Sequence, residues 1–353
     1  MGSLQDESKT SLMRWYIDTR QLTATNSLLP LLETLQPSDQ ETVKKYYHLK
    51  DRHMSLASNL LKYLFIHRSC RIPWNKISIS RTPAPHRRPC FLPSPTLIES
   101  TDGPIPSIEF NVSHQASLIA LAGTIIPPSD VAHTSPAAVF AAPSPSSIPA
   151  LSVPQVGIDI TCVDERRART SSAPSTRKEL AEYVDIFAEV FSKRELETIK
   201  NLGGRFPAQA QDSARETEAV EYGLRLFYTY WALKEAYIKM TGEALLAPWL
   251  RELEFTDVIA PAPVEGLAVD WGEPYTGIKT WLYGERVEDV RIEVVAFEKD
   301  YIFATAARGA GLGAESRPLP GSAGVDSWML IEKIDIDKDI APCATGVCQC
   351  AKK

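Results

Sequence analysis

The chain has 353 residues, 44% hydrophobic and 23% charged, enough for one large domain or two smaller ones with sizeable cores. Its formal net charge of −6 argues against a general nucleic-acid binder, although Lys44-Lys45 and Arg87-Arg88 are local basic clusters that keep anions open as ligands. No run approaches the roughly 20 apolar residues of a membrane-spanning helix, and the polar start MGSLQDESKT lacks the apolar stretch of a secretory signal. Six cysteines in a chain of this size do not make a disulfide scaffold, so a reducing, cytoplasmic location is expected.

Arg14-Trp15-Tyr16-Ile17-Asp18 predicts a short strand. From Pro37-Ser38-Asp39 a long helical pattern carries Val43, Tyr46, Tyr47, Leu56, Leu60, Leu61, Leu64 and Phe65 until Pro73 ends it. Ile77-Ser78-Ile79-Ser80 alternates as a half-buried strand does. Residues 108–112 and 117–122 predict a hairpin, with Ser113-His114-Gln115-Ala116 as its turn. Residues 127–154 are dominated by Pro, Ser and Ala and read as a flexible insertion. A second polar insertion runs from about Asp164 to Arg177.

The order of elements then repeats. A strand over 156–160 precedes helical stretches over 178–201 and 216–241, with Gly242 placed as a C-terminal cap. Strand-like runs follow at 253–255, 280–283 and 290–295, the last pairing with 301–306. Each half reads as helices packed on antiparallel sheet, which is an α+β fold. The predicted division is an N-terminal subdomain over 1–155 and a C-terminal one over 156–308. A largely flexible tail over 309–353 follows, with a short ordered piece near Trp328-Met329-Leu330-Ile331.

Trp231, Glu235 and Lys239 are spaced i, i+4, i+8 and share one helix face. By spacing alone they are a surface Glu–Lys pair beside an anchoring aromatic. Asp159 closes an apolar run, where a carboxylate must be paired, exposed at a strand end or bound to a metal. One carboxylate from a strand and one from a helix suit a hard cation such as Mg²⁺. His114 at a turn is ordinarily just an exposed polar residue, and Lys50, Arg52, Arg81, Arg87 and Arg88 are ordinarily solvated; together they offer the cationic side of a polyphosphate site. Neither a GxxxxGK[ST] loop nor a GxGxxG after a strand is present. In the tail, Cys343, Cys348 and Cys350 have the spacing C-x₄-C-x-C, which matches no standard zinc pattern, and no histidine follows.

Val156-Gly157-Ile158-Asp159, followed about seventy residues later by Trp231-Ala232-Leu233-Lys234-Glu235-Ala236-Tyr237-Ile238-Lys239, resembles the paired signature (V/I)G(I/V)D and WxxKE(A/S)xxK of Sfp-type 4′-phosphopantetheinyl transferases. Phe110-Asn111-Val112-Ser113-His114, Ile72-Pro73-Trp74-Asn75 with Arg81-Thr82, and Arg88-Pro89 in place of Lys-Pro agree with it. The resemblance covers about residues 14–308, and the wording of Arg14 to Arg20 and the cysteine-bearing tail are similar to the filamentous-fungal enzymes of the NpgA/PptA type.

The resemblance implies two similar halves related by a pseudo-twofold axis, with coenzyme A in the cleft between them. It implies that a monomeric, Mg²⁺-dependent enzyme moves the phosphopantetheine arm of coenzyme A to a serine of carrier-protein domains, releasing adenosine 3′,5′-bisphosphate. The carriers would belong to polyketide synthases, nonribosomal peptide synthetases and the aminoadipate reductase of lysine biosynthesis. Asp159 and Glu235 are the implied metal ligands, Glu235 and Lys239 the catalytic pair, and Lys50, Arg81, Arg88, Ser113, His114 and Lys239 the coenzyme A contacts. Neither a nucleic-acid nor a membrane partner is implied. One departure is that Asp159-Ile160-Thr161 has a threonine where many members carry a third acidic residue. The rival reading is a coenzyme A- or carrier-binding homologue without turnover.

Overall fold

The computed structural model describes residues 10–25, 27–83, 87–101, 103–126, 153–164, 173–207, 212–243, 247–266, 270–317 and 326–350. Most of the 127–154 insertion and the middle of the 164–177 insertion therefore lie outside the described residues. The chain forms two compact units, Met1–Gly157 with Ala307–Lys353, and Ile158–Ala306. Both mix helices with small sheets, an α+β architecture.

The first unit opens with β1 (Leu12–Asp18) and α1 (Arg20–Thr25), then α2 (Pro37–Lys44) and α3 (Leu49–Cys70). The single long helix expected from residue 37 is thus two. His48 is extended at φ −82°, ψ 138° and starts α3 anew, while Tyr46 and Tyr47 are exposed and supply no buried face to continue α2. Next come β2 (Ser80–Arg81), β3 (Pro89–Cys90), α4 (Pro95–Glu99), β4 (Ser107–Gln115) and β5 (Leu118–Ile126). The strand expected over 77–80 shrinks to the Ser80–Arg81 pairing with β3. Ile77 is buried by packing, and its carbonyl accepts from the Gln36 side chain instead of a ladder.

The continuous apolar run of β5 marks a strand covered on both faces. Leu60, Leu61, Leu64 and Phe65 of α3 fill a core with Ile119, Leu121 and Phe110. Gly123 makes that approach possible, since a Cβ there would stand 2.5 Å from the Phe65 ring. The hairpin turn falls at Ala116-Ser117, not at residues 113–116: Gln115 pairs with Leu118, and φ values of 46° and 73° give the two left-handed residues of a type I′ turn. Ser113 and His114 consequently belong to β4.

The second unit begins within β6 (Gln155–Cys162) and continues through α5 (Arg177–Asp185), α6 (Lys193–Lys200) and α7 (Ser213–Thr241). The helix expected over 178–201 divides because Ser192 and Glu195 form a reciprocal capping box that starts α6. Asp212 caps the start of α7, and Gly242, at φ 83°, ends it in the left-handed region as expected of a glycine cap. Strands β7 (Leu253–Thr256), β8 (Lys279–Leu282) and β9 (Glu285–Val287) form one sheet; β10 (Arg291–Phe297), β11 (Tyr301–Arg308) and β6 form another, in the order β10-β11-β6. Helix α7 packs on β7 and β10 and buries Phe227, Tyr230, Leu233, Ala236 and Tyr237.

The tail departs from the expectation of a largely loose segment over 309–353. Among its described residues, β12 (Trp328–Lys333) pairs in parallel with β1, completing the sheet order β12-β1-β5-β4. Ile334, Ile340 and Cys343 enter the core beneath α3, and α8 (Ala341–Ala344) follows. Trp328 is anchored by Nε1 donation to the Leu312 carbonyl at 2.9 Å and by the Arg14 guanidinium 5.3 Å from its ring. Among the described residues no helix is long and apolar enough to cross a membrane.

Candidate active site

Asp159 lies in the middle of β6, buried to 5% exposure. Its flanking apolar residues are what a strand covered on both faces requires, so its carboxylate must be compensated where it stands. Two donors do this. Lys239 Nζ donates to Asp159 Oδ1 at 2.6 Å, and Thr161 Oγ1 donates to Asp159 Oδ2 at 2.9 Å. Thr161, two residues along the strand, shares Asp159's face.

Glu235 stands one helical turn before Lys239 on α7, half-buried. Its carboxyl is pushed up to about 7, first by burial and next by the Asp159 charge, with Lys239 pulling the other way. Strand and helix thus bring two carboxylates, a hydroxyl and an ammonium into one locality within the second unit. The oxygens are hard donors of the kind that bind Mg²⁺-like cations, and the ammonium suits phosphate oxygens.

The other two residues of the helix motif have packing duties. Trp231 stacks edge-on with Phe187 at 5.7 Å and with Phe191 at 6.4 Å. Lys234 is fully buried and pairs with Glu195, also fully buried, at 2.8 Å. It also donates to the carbonyls of Leu250 and Leu253, which ties α7 to the segment leading into β7. Burial drives Glu195 up and Lys234 down, and their mutual attraction opposes both shifts. Glu195 is the residue that spacing around the motif does not disclose. Its signal is the S-x-x-E capping pattern of Ser192 to Glu195.

In the first unit, Ser113 and His114 sit on successive positions of β4 and so on opposite faces. Ser113 is buried on the face of Asn111 and Glu109, whereas His114 is exposed on the face of Phe110 and Val112. Arg88 donates to Glu109 at 2.6 Å. Arg81 is exposed and donates to the Arg87 carbonyl at 3.1 Å, and Lys50 is exposed in the first turn of α3. Of these five, Ser113 is buried, Arg88 is committed to a carboxylate, and Ser113 and His114 diverge to the two faces of β4.

A family model described as 4′-phosphopantetheinyl transferase superfamily matches residues 155–302, which contain Asp159, Glu235 and Lys239; another, 4′-phosphopantetheinyl transferase, N-terminal, matches residues 23–126. The chain is 80% identical to 4′-phosphopantetheinyl transferase A of Aspergillus fumigatus, over 100% of this chain and 99% of the relative. It is 56% identical to 4′-phosphopantetheinyl transferase NpgA of Emericella nidulans, over 98% and 99% respectively. The human L-aminoadipate-semialdehyde dehydrogenase-phosphopantetheinyl transferase is 25% identical over 78% of this chain and 68% of its own. The chain belongs to the 4′-phosphopantetheinyl transferase superfamily, as a member of its fungal NpgA/PptA type. A homologue without turnover is not favoured among relatives of this kind.

Proposed function

We propose that the chain transfers the 4′-phosphopantetheine arm of coenzyme A to a serine hydroxyl of carrier-protein domains, with Asp159, Glu235 and Lys239 as the pyrophosphate end of its site. The observation that carries this reading is the meeting of two carboxylates with Lys239 inside the matched family segment. In the transfer, the serine oxygen forms a bond to the β-phosphorus of coenzyme A while the pyrophosphate bridge breaks, and adenosine 3′,5′-bisphosphate leaves.

Asp159 and Glu235 fit Mg²⁺ by donor type, and Thr161 supplies a hydroxyl where a third carboxylate is common in the family. Bound there, Mg²⁺ would neutralise pyrophosphate charge. Lys239 would place its ammonium against phosphate oxygens as negative charge moves to the leaving group. Glu235 would accept the serine proton, directly or through a water.

Lys50, Arg81, Arg88, Ser113 and His114 are proposed as coenzyme A contacts from the first unit. Exposure supports Lys50, Arg81 and His114. For Arg88 to hold a phosphate it would have to exchange the Glu109 carboxylate for it. The same family reading includes two halves of similar build; support comes from each unit having one long helix packed on a sheet. It also includes a monomeric enzyme acting in the cytoplasm. The carriers would be those of polyketide and nonribosomal peptide synthesis and the aminoadipate reductase of lysine biosynthesis, the last in keeping with the name of the human relative. Incubation with coenzyme A, Mg²⁺ and an apo carrier protein should add the phosphopantetheine mass to the carrier. An unchanged carrier mass would overturn the reading.

A further inference from the structure

Three cysteines close to the end of the chain meet a histidine from the first segment of their unit. His67, in the last turn of α3, and Cys343, Cys348 and Cys350 place one donor atom each within 4.8 Å of one another. The fold of the tail produces this. After α8, Gly346 takes φ 77°, and the amides of Val347 and Cys348 both donate to the Pro342 carbonyl at 2.9 Å. That knuckle turns the chain back so that Cys348 and Cys350, with Gln349 between them, face Cys343.

His67 is oriented for ligation. Its Nδ1 lies 2.6 Å from the Ile72 carbonyl, which can only accept, so Nδ1 carries the proton. In the neutral ring, as a metal ligand must be, Nε2 then points its lone pair toward Cys348 Sγ, 3.1 Å away. A backbone carbonyl holding the far nitrogen is the support that metal-bound histidines usually have. The Trp74 ring stands edge-on at 6.1 Å, and His67 and Cys343 are buried, so the site has an apolar surround.

The spacings suit a tetrahedron. Zinc–sulfur bonds of about 2.3 Å and zinc–nitrogen bonds of about 2.0 Å give edges of roughly 3.8 Å between sulfurs and 3.5 Å between sulfur and nitrogen. Cys343 and Cys350 are 3.9 Å apart, far beyond the roughly 2.05 Å of a disulfide. A disulfide would in any case leave the third cysteine and the histidine without a role.

We propose that His67, Cys343, Cys348 and Cys350 bind a structural Zn²⁺ ion that fastens the C-terminal tail to helix α3. Soft thiolates with one imidazole select zinc over the hard cation suited to Asp159 and Glu235. Four protein ligands leave no open position, so the ion serves the fold and not the transfer. The sequence pattern conceals the site because the histidine precedes the cysteines by more than 270 residues, as the 281-residue separation of His67 and Cys348 shows.

The test uses the full-length, untagged chain purified without chelators, with metal content measured by mass spectrometry of the elements. About one zinc per chain is expected, falling to under a tenth of that in Cys348→Ser/Cys350→Ser and in His67→Asn. Cys90→Ser, outside the cluster, should keep its zinc. Because a ligand variant could misfold, the wild-type chain is also stripped and reloaded with Co²⁺. Visible bands of tetrahedral thiolate-bound cobalt, displaced by one equivalent of zinc, are expected. Wild-type protein that carries no zinc and develops no such bands on Co²⁺ addition would overturn the proposal, as would a Cys343–Cys350 disulfide in the freshly isolated chain.

Discussion

Lys239 and Asp159, 80 residues apart in sequence, are joined at 2.6 Å by an ammonium–carboxylate hydrogen bond that ties helix α7 to strand β6. The lysine is a quarter exposed and the aspartate almost wholly buried, so one end of the pair is accessible to a ligand while the other is fixed. An ammonium held in this way is already positioned when phosphate arrives, which is the arrangement that stabilises developing charge most.

Lys239→Met removes that charge while keeping much of the stem. Transfer to an apo carrier should fall by about 10²-fold or more in kcat, the usual scale for losing one such group. The thermal midpoint should fall as well, because the buried Asp159 carboxylate keeps only the Thr161 hydroxyl of its two donors, so rates are compared on chain shown to be folded. Steady-state rates and thermal melts on the same preparation decide it: wild-type kcat in a folded Lys239→Met chain would remove Lys239 from the chemistry.

Glu235 gives the site a pH dependence. Its carboxyl is pushed up to about 7 in the fold from the ordinary 4.5 of a glutamate, with burial the first cause and Asp159 the second. The native state therefore holds a proton that the unfolded chain has released. This contribution to stability is complete below about 4.5 and is lost as pH rises through about 7. Cation binding requires the ionised form, so Mg²⁺ affinity should rise about tenfold from pH 6 to pH 8, with proton release on binding. Calorimetry in buffers of different ionisation enthalpy measures both. Affinity that is flat across this window, or an unchanged slope in Glu235→Gln, would show that another group governs binding.

Much of this site was legible in the sequence because its signals are local. Asp159 interrupts an apolar strand, and Glu235 and Lys239 stand one turn apart, so the face and the spacing can be read without coordinates. The glycine cap at Gly242 is equally local. What escaped depends on partners far along the chain. Periodicity cannot report that Tyr46 and Tyr47 face solvent and so break a helix, nor that the turn residues of the β4–β5 hairpin are Ala116 and Ser117. Ser113 and His114 seemed neighbours at a tip, yet one strand position apart means opposite faces. The tail has too few apolar residues to form a core alone; Trp328, Ile334 and Ile340 find theirs against β1 and α3.

Lys234 and Glu195 test a different kind of dependence, since both are fully buried. Lys234→Met should strand the Glu195 carboxylate and cost about 3–5 kcal/mol. Glu195 also accepts from the amides of Ser192 and Phe255, both at 2.9 Å, so the companion change must keep its oxygen. Lys234→Met with Glu195→Gln should recover a large part of the loss, because an amide needs no counter-charge. Denaturant melts of the two variants measure this, and a Lys234→Met chain as stable as wild type would mean that the pair carries no such penalty.

The returning tail makes the strongest claim on stability. Removing residues 326–353 would uncover β1 along one edge and take Trp328, Ile334, Ile340 and Cys343 out of the unit's buried set. At about 1.5–3 kcal/mol for each large buried side chain, the loss is comparable to the whole stability of a typical domain. The truncated chain should therefore lose its cooperative melt and be cut rapidly by protease. Position matters within the strand: Trp328 is 3% exposed and Leu330 84% exposed. Trp328→Ala should cost about 3–5 kcal/mol, whereas Leu330→Ser should remain within about 0.5 kcal/mol of wild type. A truncated chain that melts cooperatively at the wild-type temperature would show that β12 and the residues after it cover the unit without supporting it.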